Sequence, residues 1–105
     1  MLDRLETIKT MLESAPDDVF LRYSLGMEYA AAGRHGEAAA EFKHCVEMDE
    51  GYLAAYVEAG KSLRSAGRLA EAKQMFAAGM ELAAMKGESH VHDYIRQQLE
   101  GLPGG

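Results

Sequence analysis

Residues 25–48 read LGMEYAAAGRHGEAAAEFKHCVEM, and 34 positions later residues 59–82 read AGKSLRSAGRLAEAKQMFAAGMEL. Gly26 falls on Gly60, Ala32 on Ala66, Gly33 on Gly67 and Arg34 on Arg68. Glu37 falls on Glu71, Ala38 on Ala72, Phe42 on Phe76 and Glu47 on Glu81. A fixed period of this length marks a chain built from one supersecondary unit, each copy burying its apolar face on the next.

Working outward, the apolar spacing divides the chain into helices. Residues 2–14 carry Leu2, Leu5, Ile8, Met11 and Leu12 at steps of three and four, one stripe of a helix. Pro16 ends it, because the residue before proline is pushed out of helical angles. Asp17 and Asp18 then offer a capping oxygen and favourable charge to a helix over 17–32. Gly33 suits the left-handed residue that closes this helix. Further helices follow over 36–48, with Ala38, Phe42, Cys45 and Val46 inward, and over 52–66, ending at Gly67. The next covers 69–85, ending near Gly87, and the last covers 88–100, with Val91, Tyr94, Ile95 and Leu99 on one side. The tail Gly101-Leu102-Pro103-Gly104-Gly105 carries too little side chain to pack and is expected to be disordered.

The joints Gly33-Arg34-His35-Gly36 and Gly67-Arg68-Leu69-Ala70 are so short that the helices they link must run antiparallel, as hairpins. Neither joint contains a Ser, Asp or Asn to cap the second helix, so packing has to hold it.

Composition narrows the function. The 105 residues make one domain with net charge −6, and nucleic acid or an anionic membrane calls for the opposite sign. Cys45 is the single cysteine and cannot form an internal disulfide, which fits a reducing compartment. MLDRLETIK lacks the apolar run of a secretion signal, and no segment is as long and apolar as a membrane span. A cytoplasmic location is the expectation.

The pattern resembles the tetratricopeptide repeat, a 34-residue helix–turn–helix unit. Leu25-Gly26, Tyr29, Ala38, Phe42 and Cys45 carry the resemblance in one copy. Tyr56, Ala59-Gly60, Leu63, Ala72, Phe76 and Gly79 carry it in the next. Arg22 departs from it where a large aromatic is usual, as do Leu63 in place of an aromatic and Glu50 and Ala84 in place of proline. Pro16 lies 34 residues before Glu50, so the first helix reads as the second half of a degenerate repeat.

The resemblance implies an all-α fold, a right-handed α-α superhelix of antiparallel hairpins with about six helices. It divides the chain into a half-repeat helix over 1–15, repeats over 19–52 and 53–86, a capping helix over 88–100 and the tail 101–105. Tyr94 stands where a further repeat would need glycine, hence the capping role. Gly26 with Ala38, and Gly60 with Ala72, are then small because the two helices of a hairpin cross there.

The same resemblance implies a function: the first helices of successive hairpins line a groove that holds a peptide or partner segment, without cofactor or covalent step. Carried over position by position, the groove residues are Phe20, Tyr23, Met27 and Ala30, then Ala54, Val57, Lys61 and Arg64. The two cations suggest a ligand with an apolar anchor beside a carboxylate. A blander arrangement puts Phe20, Tyr23 and Met27 under the first helix, against Leu5, Ile8 or Leu12, and pairs Lys61 with Glu58. The chain has no asparagine, so the full set of lysines, arginines and asparagines with which some repeats of this family hold a terminal carboxylate is incomplete. A second function class is a structural adaptor that self-associates through an exposed end helix, so that the chain is expected as a monomer or a weak homodimer. Enzyme chemistry ranks last. His90 and His92 are two apart and point to different sides of a helix, and no nucleophile, phosphate-loop or dinucleotide motif occurs.

Overall fold

The structure, a computed structural model, describes residues 3–104; Leu2 of the first apolar stripe and Gly105 of the tail lie outside them. Among the described residues the elements are six helices: α1 Arg4–Ser14, α2 Val19–Ala31, α3 His35–Met48, α4 Leu53–Ser65, α5 Leu69–Lys86 and α6 Ser89–Glu100.

Local chemistry sets their ends. Asp3 accepts a hydrogen bond from the Glu6 amide at 2.8 Å and starts α1, and Asp18 accepts from the Leu21 amide at 3.0 Å and starts α2. Gly33, Gly67 and Gly87 have φ of 77°, 77° and 72°. That left-handed turn lets the next amide reach back: Arg34 N–H donates to the Tyr29 carbonyl and Arg68 N–H to the Leu63 carbonyl, both at 2.9 Å.

The second helices start with no side-chain cap, at Arg34 and Arg68. Each arginine instead folds onto the glutamate three residues on. Arg34 Nε and Nη2 donate to the two oxygens of Glu37 at 2.8 Å, and Arg68 does the same to Glu71 at 2.7 Å. The Arg34 guanidinium also lies 4.7 Å from the Tyr29 ring centre. The repetition of Arg and Glu thus has a structural cause: the pair ties each joint to the first turn of the helix it begins.

The repeated glycines sit where helices touch. A methyl group added to Gly26 would lie 2.6 Å from Phe42 Cε1, and one added to Gly60 would lie 2.5 Å from Phe76 Cε1. Both rings are fully buried, with Ala38 beside the first and Ala72 beside the second. Adjacent alanines on α3 face opposite neighbours: Ala38 packs with Leu25, Tyr29 and Phe42, while Ala39 packs with Leu63 and Phe76 of the following hairpin. Two apolar clusters therefore meet at α3, and Met75 packs against both.

The helices form two layers. Tyr23 of α2 meets Tyr52 at the start of α4, and Arg64 of α4 meets Gln98 of α6, so α2, α4 and α6 stand side by side. Lys43 of α3 reaches Glu71 of α5 at 3.4 Å on the other side. In the place of the usual aromatic, Arg22 extends to Glu41 at 3.1 Å and to the Pro16 carbonyl at 3.3 Å, bracing α2 against α3 and the preceding turn.

The tail needs correction. Leu102 is 5% exposed and joins Ile95 and Leu99 in the second half of the core, because the turn after α6 folds it back under the helix. One leucine at the right turn position is enough to anchor a glycine-rich end.

Candidate functional site

Helical spacing puts Phe20, Tyr23, Met27 and Ala30 on one side of α2, and Ala54, Val57, Lys61 and Arg64 on one side of α4. Phe20 is 65% exposed and Met27 39% exposed, so neither is covered by α1. Leu21, Leu25 and Tyr29 of α2 share a cluster with Leu5, Ile8 and Leu12, and of the groove set Tyr23 and Ala30 also pack against that cluster, whereas Phe20 and Met27 do not.

Tyr23 is half-buried between hairpins, its ring centre 5.4 Å from that of Phe42 and 5.3 Å from that of Tyr52. Burial, then the nearby Glu58 charge, push its hydroxyl up to about 12, so it remains a neutral donor. It forms part of the wall between α2 and α4 and presents a polar edge.

The two cations have partners within the chain. Lys61 Nζ lies 3.3 Å from Glu58 Oε2, the pairing weighed above. Arg64 donates to the Gln98 side chain and lies 6.0 Å from the centre of the Phe76 ring. Lys61 is thus paired within α4 and Arg64 with α6, so an incoming carboxylate would compete with acceptors the chain already supplies.

The structure adds a part that the sequence reading omitted. Val57, Leu53 and Ala54 of α4 face Val91 and Tyr94 of α6 across an open cleft of about 490 Å³. Glu58, Glu88 and His90 supply its polar margin. A signal for it was present: stepping 34 residues from Ala54, Val57 and Arg64 lands on Glu88, Val91 and Gln98. Treating α6 only as a cap hid the third wall of the site.

Cys45 takes no part in this face. It is fully buried beside α2, its thiol pushed up to about 11 by desolvation and then by the Glu41 charge, which leaves it protonated and inert. Among the described residues no helix is long and apolar enough to cross a membrane.

Known proteins agree with this architecture. The tetratricopeptide repeat family model matches residues 29–92. A TPR repeat-containing protein of Pseudomonas aeruginosa is 37% identical over 98 residues, 93% of this chain and 93% of that protein. The solution structure of a Bordetella parapertussis protein superposes with a TM-score of 0.82 at 27% identity, covering 95% of this chain and 87% of the other. A tetratricopeptide repeat domain protein from Salinibacter ruber superposes with a TM-score of 0.75 at 29% identity, over 86% and 94% of the respective chains.

Proposed function

Because the chain belongs to the tetratricopeptide repeat family, whose domains generally mediate protein–protein contacts, we propose that it is a non-catalytic interaction module. It captures a peptide or partner segment along the face made by α2, α4 and α6. Phe20, Tyr23, Met27 and Val57 supply the apolar contact, and Lys61 and Arg64 line the far end while bound to their own neighbours.

The observation that carries this reading is where exposed apolar side chains collect. Among the described residues, three of the five large exposed apolar side chains, Phe20, Met27 and Tyr94, are on the α2–α4–α6 layer, while Met11 stands alone on α1 and Met85 alone on α5. The ends of the stack have the opposite character. The outer side of α6 holds Asp93, Arg96 and Glu100, paired at 3.6 and 3.9 Å. The outer side of α1 is polar apart from Met11. Stacking of a second copy on an end helix would bury charges for little apolar gain, which favours capture on the layer face over self-association.

The test is capture of partners from a lysate of the source organism with the natural chain and with a Phe20→Glu, Met27→Glu variant. Both side chains are exposed, so the melting temperature should hold. Burying the open part of Phe20 is worth roughly 1–2 kcal/mol, so the variant should lose its partners by tenfold or more. Retention of the same partners at the same level would refute the proposal.

A further inference from the structure

We infer that the cleft between α4 and α6 takes an aliphatic side chain whose neighbour in the partner is cationic, so that the captured segment is basic and apolar. This rests on the reading of the α2–α4–α6 face as the capture surface.

The floor of the cleft is aliphatic: Leu53, Ala54 and Val57 on one side, Val91 on the other, with the half-open Tyr94 ring as an edge. Its charged margin is acidic. Glu88 is exposed and, among the described residues, makes no ion pair. Glu58 is mostly buried and gives one oxygen to Lys61, which leaves its second oxygen able to accept. Nearby cations are engaged elsewhere: Arg64 on Gln98, and Lys86 on the Gly51 carbonyl at 2.7 Å.

One effect opposes this. Both α4 and α6 begin at the cleft, and a helix start carries roughly half a positive charge. Two carboxylate charges less that of Lys61 leave about −1, which the two half-charges roughly balance in sum. The sign is then set by position, since the exposed Glu88 carboxylate and the second oxygen of Glu58 are the groups at the cleft margin, and by the net charge of −6 at longer range. A ligand carboxylate would meet Glu58 and Glu88 directly, whereas an ammonium or guanidinium beside the apolar anchor would be held by them.

The test is an NMR titration of the full chain with three short, acetylated and amidated peptides in which leucine alternates with lysine, serine or glutamate. The lysine peptide should shift the amides of Val57, Glu58, Val91 and Tyr94 and bind about three- to tenfold more tightly than the serine peptide, with the glutamate peptide weakest. In Glu58→Gln, Glu88→Gln the ratio of lysine-peptide to serine-peptide affinity should fall to about one. The single variant Glu88→Gln, at an exposed site, should show half of the effect without risk to the fold. Equal binding of the three peptides on this face would overturn the charge preference and leave the capture surface standing. A lysine preference that survives the double substitution would overturn the inference. So would shifts centred instead on the outer recess of Val46, Tyr56 and Leu82. Absence of shifts on α2, α4 and α6 with every peptide would overturn the inference and the capture surface together.

Discussion

Gly60→Ala isolates the contact on which each hairpin depends. The new methyl would stand 2.5, 2.6 and 2.8 Å from Cε1, Cδ1 and Cζ of Phe76. Carbon atoms rest at about 3.5–4.0 Å, so the closest overlap is about 1 Å. Phe76 is fully buried and shares its cluster with Leu63, Ala72 and Ile95, so the ring cannot turn aside without moving a packed neighbour. Overpacking of this kind costs about 1–3 kcal/mol, while replacing a helical glycine with alanine returns about 1 kcal/mol. Overlap with three ring atoms at once puts the clash at the upper end of its range, for a net loss of about 2 kcal/mol and a fall in melting temperature of about 10 °C. Gly36→Ala is the control: in α3, with no atom within 4 Å of the added methyl, it should stabilise the chain by up to about 1 kcal/mol. Thermal and urea unfolding read both. Adding Phe76→Leu to Gly60→Ala should cost less than the sum of the single changes, since the smaller side chain gives room. Equal shifts in the same direction for Gly36→Ala and Gly60→Ala, or strict additivity with Phe76→Leu, would refute the reasoning.

Acid should reveal the Arg68–Glu71 pair. The Arg68 hydrogen bond, helped by Lys43, holds the Glu71 carboxyl at about 2 against an ordinary 4.5. A lowered folded-state value means stability that is present above the ordinary value and lost as pH falls from there towards about 2. Glu71→Gln should flatten the decline of melting temperature below pH 5, and identical slopes in both proteins would count against the pair. Leu102→Ala should cost about 2 kcal/mol by emptying the pocket beneath α6, and an unchanged unfolding midpoint would mean that the end of the chain contributes nothing.

The fold was readable because it is local and repeated. Glycine just after α2 and again just after α4 announces a left-handed turn, and a three-residue joint leaves the next helix no course but back along the first. Small residues 34 apart then state where the hairpins cross. Leu102 escaped this reading because its burial depends on a single turn that returns it under α6, which no periodicity encodes.

The face was half readable. Position along α2 is enough to put Phe20, Tyr23 and Met27 on one side of that helix, while setting Val57 of α4 beside them was what the family resemblance implied. What those positions meet is another matter. The Lys61–Glu58 pair was readable as a three-residue spacing on one helix, whereas Arg64 looked available in the sequence until α6 brought Gln98 to it. The cleft opposite Val57 likewise exists only because α6 stands beside α4. By itself the sequence determined the helices, their hairpin pairing and the side each residue takes, because these follow from bonds and contacts a few residues apart. The contents of the α2–α4–α6 face were decided by tertiary structure, because they arise between helices that the chain brings together only when it folds.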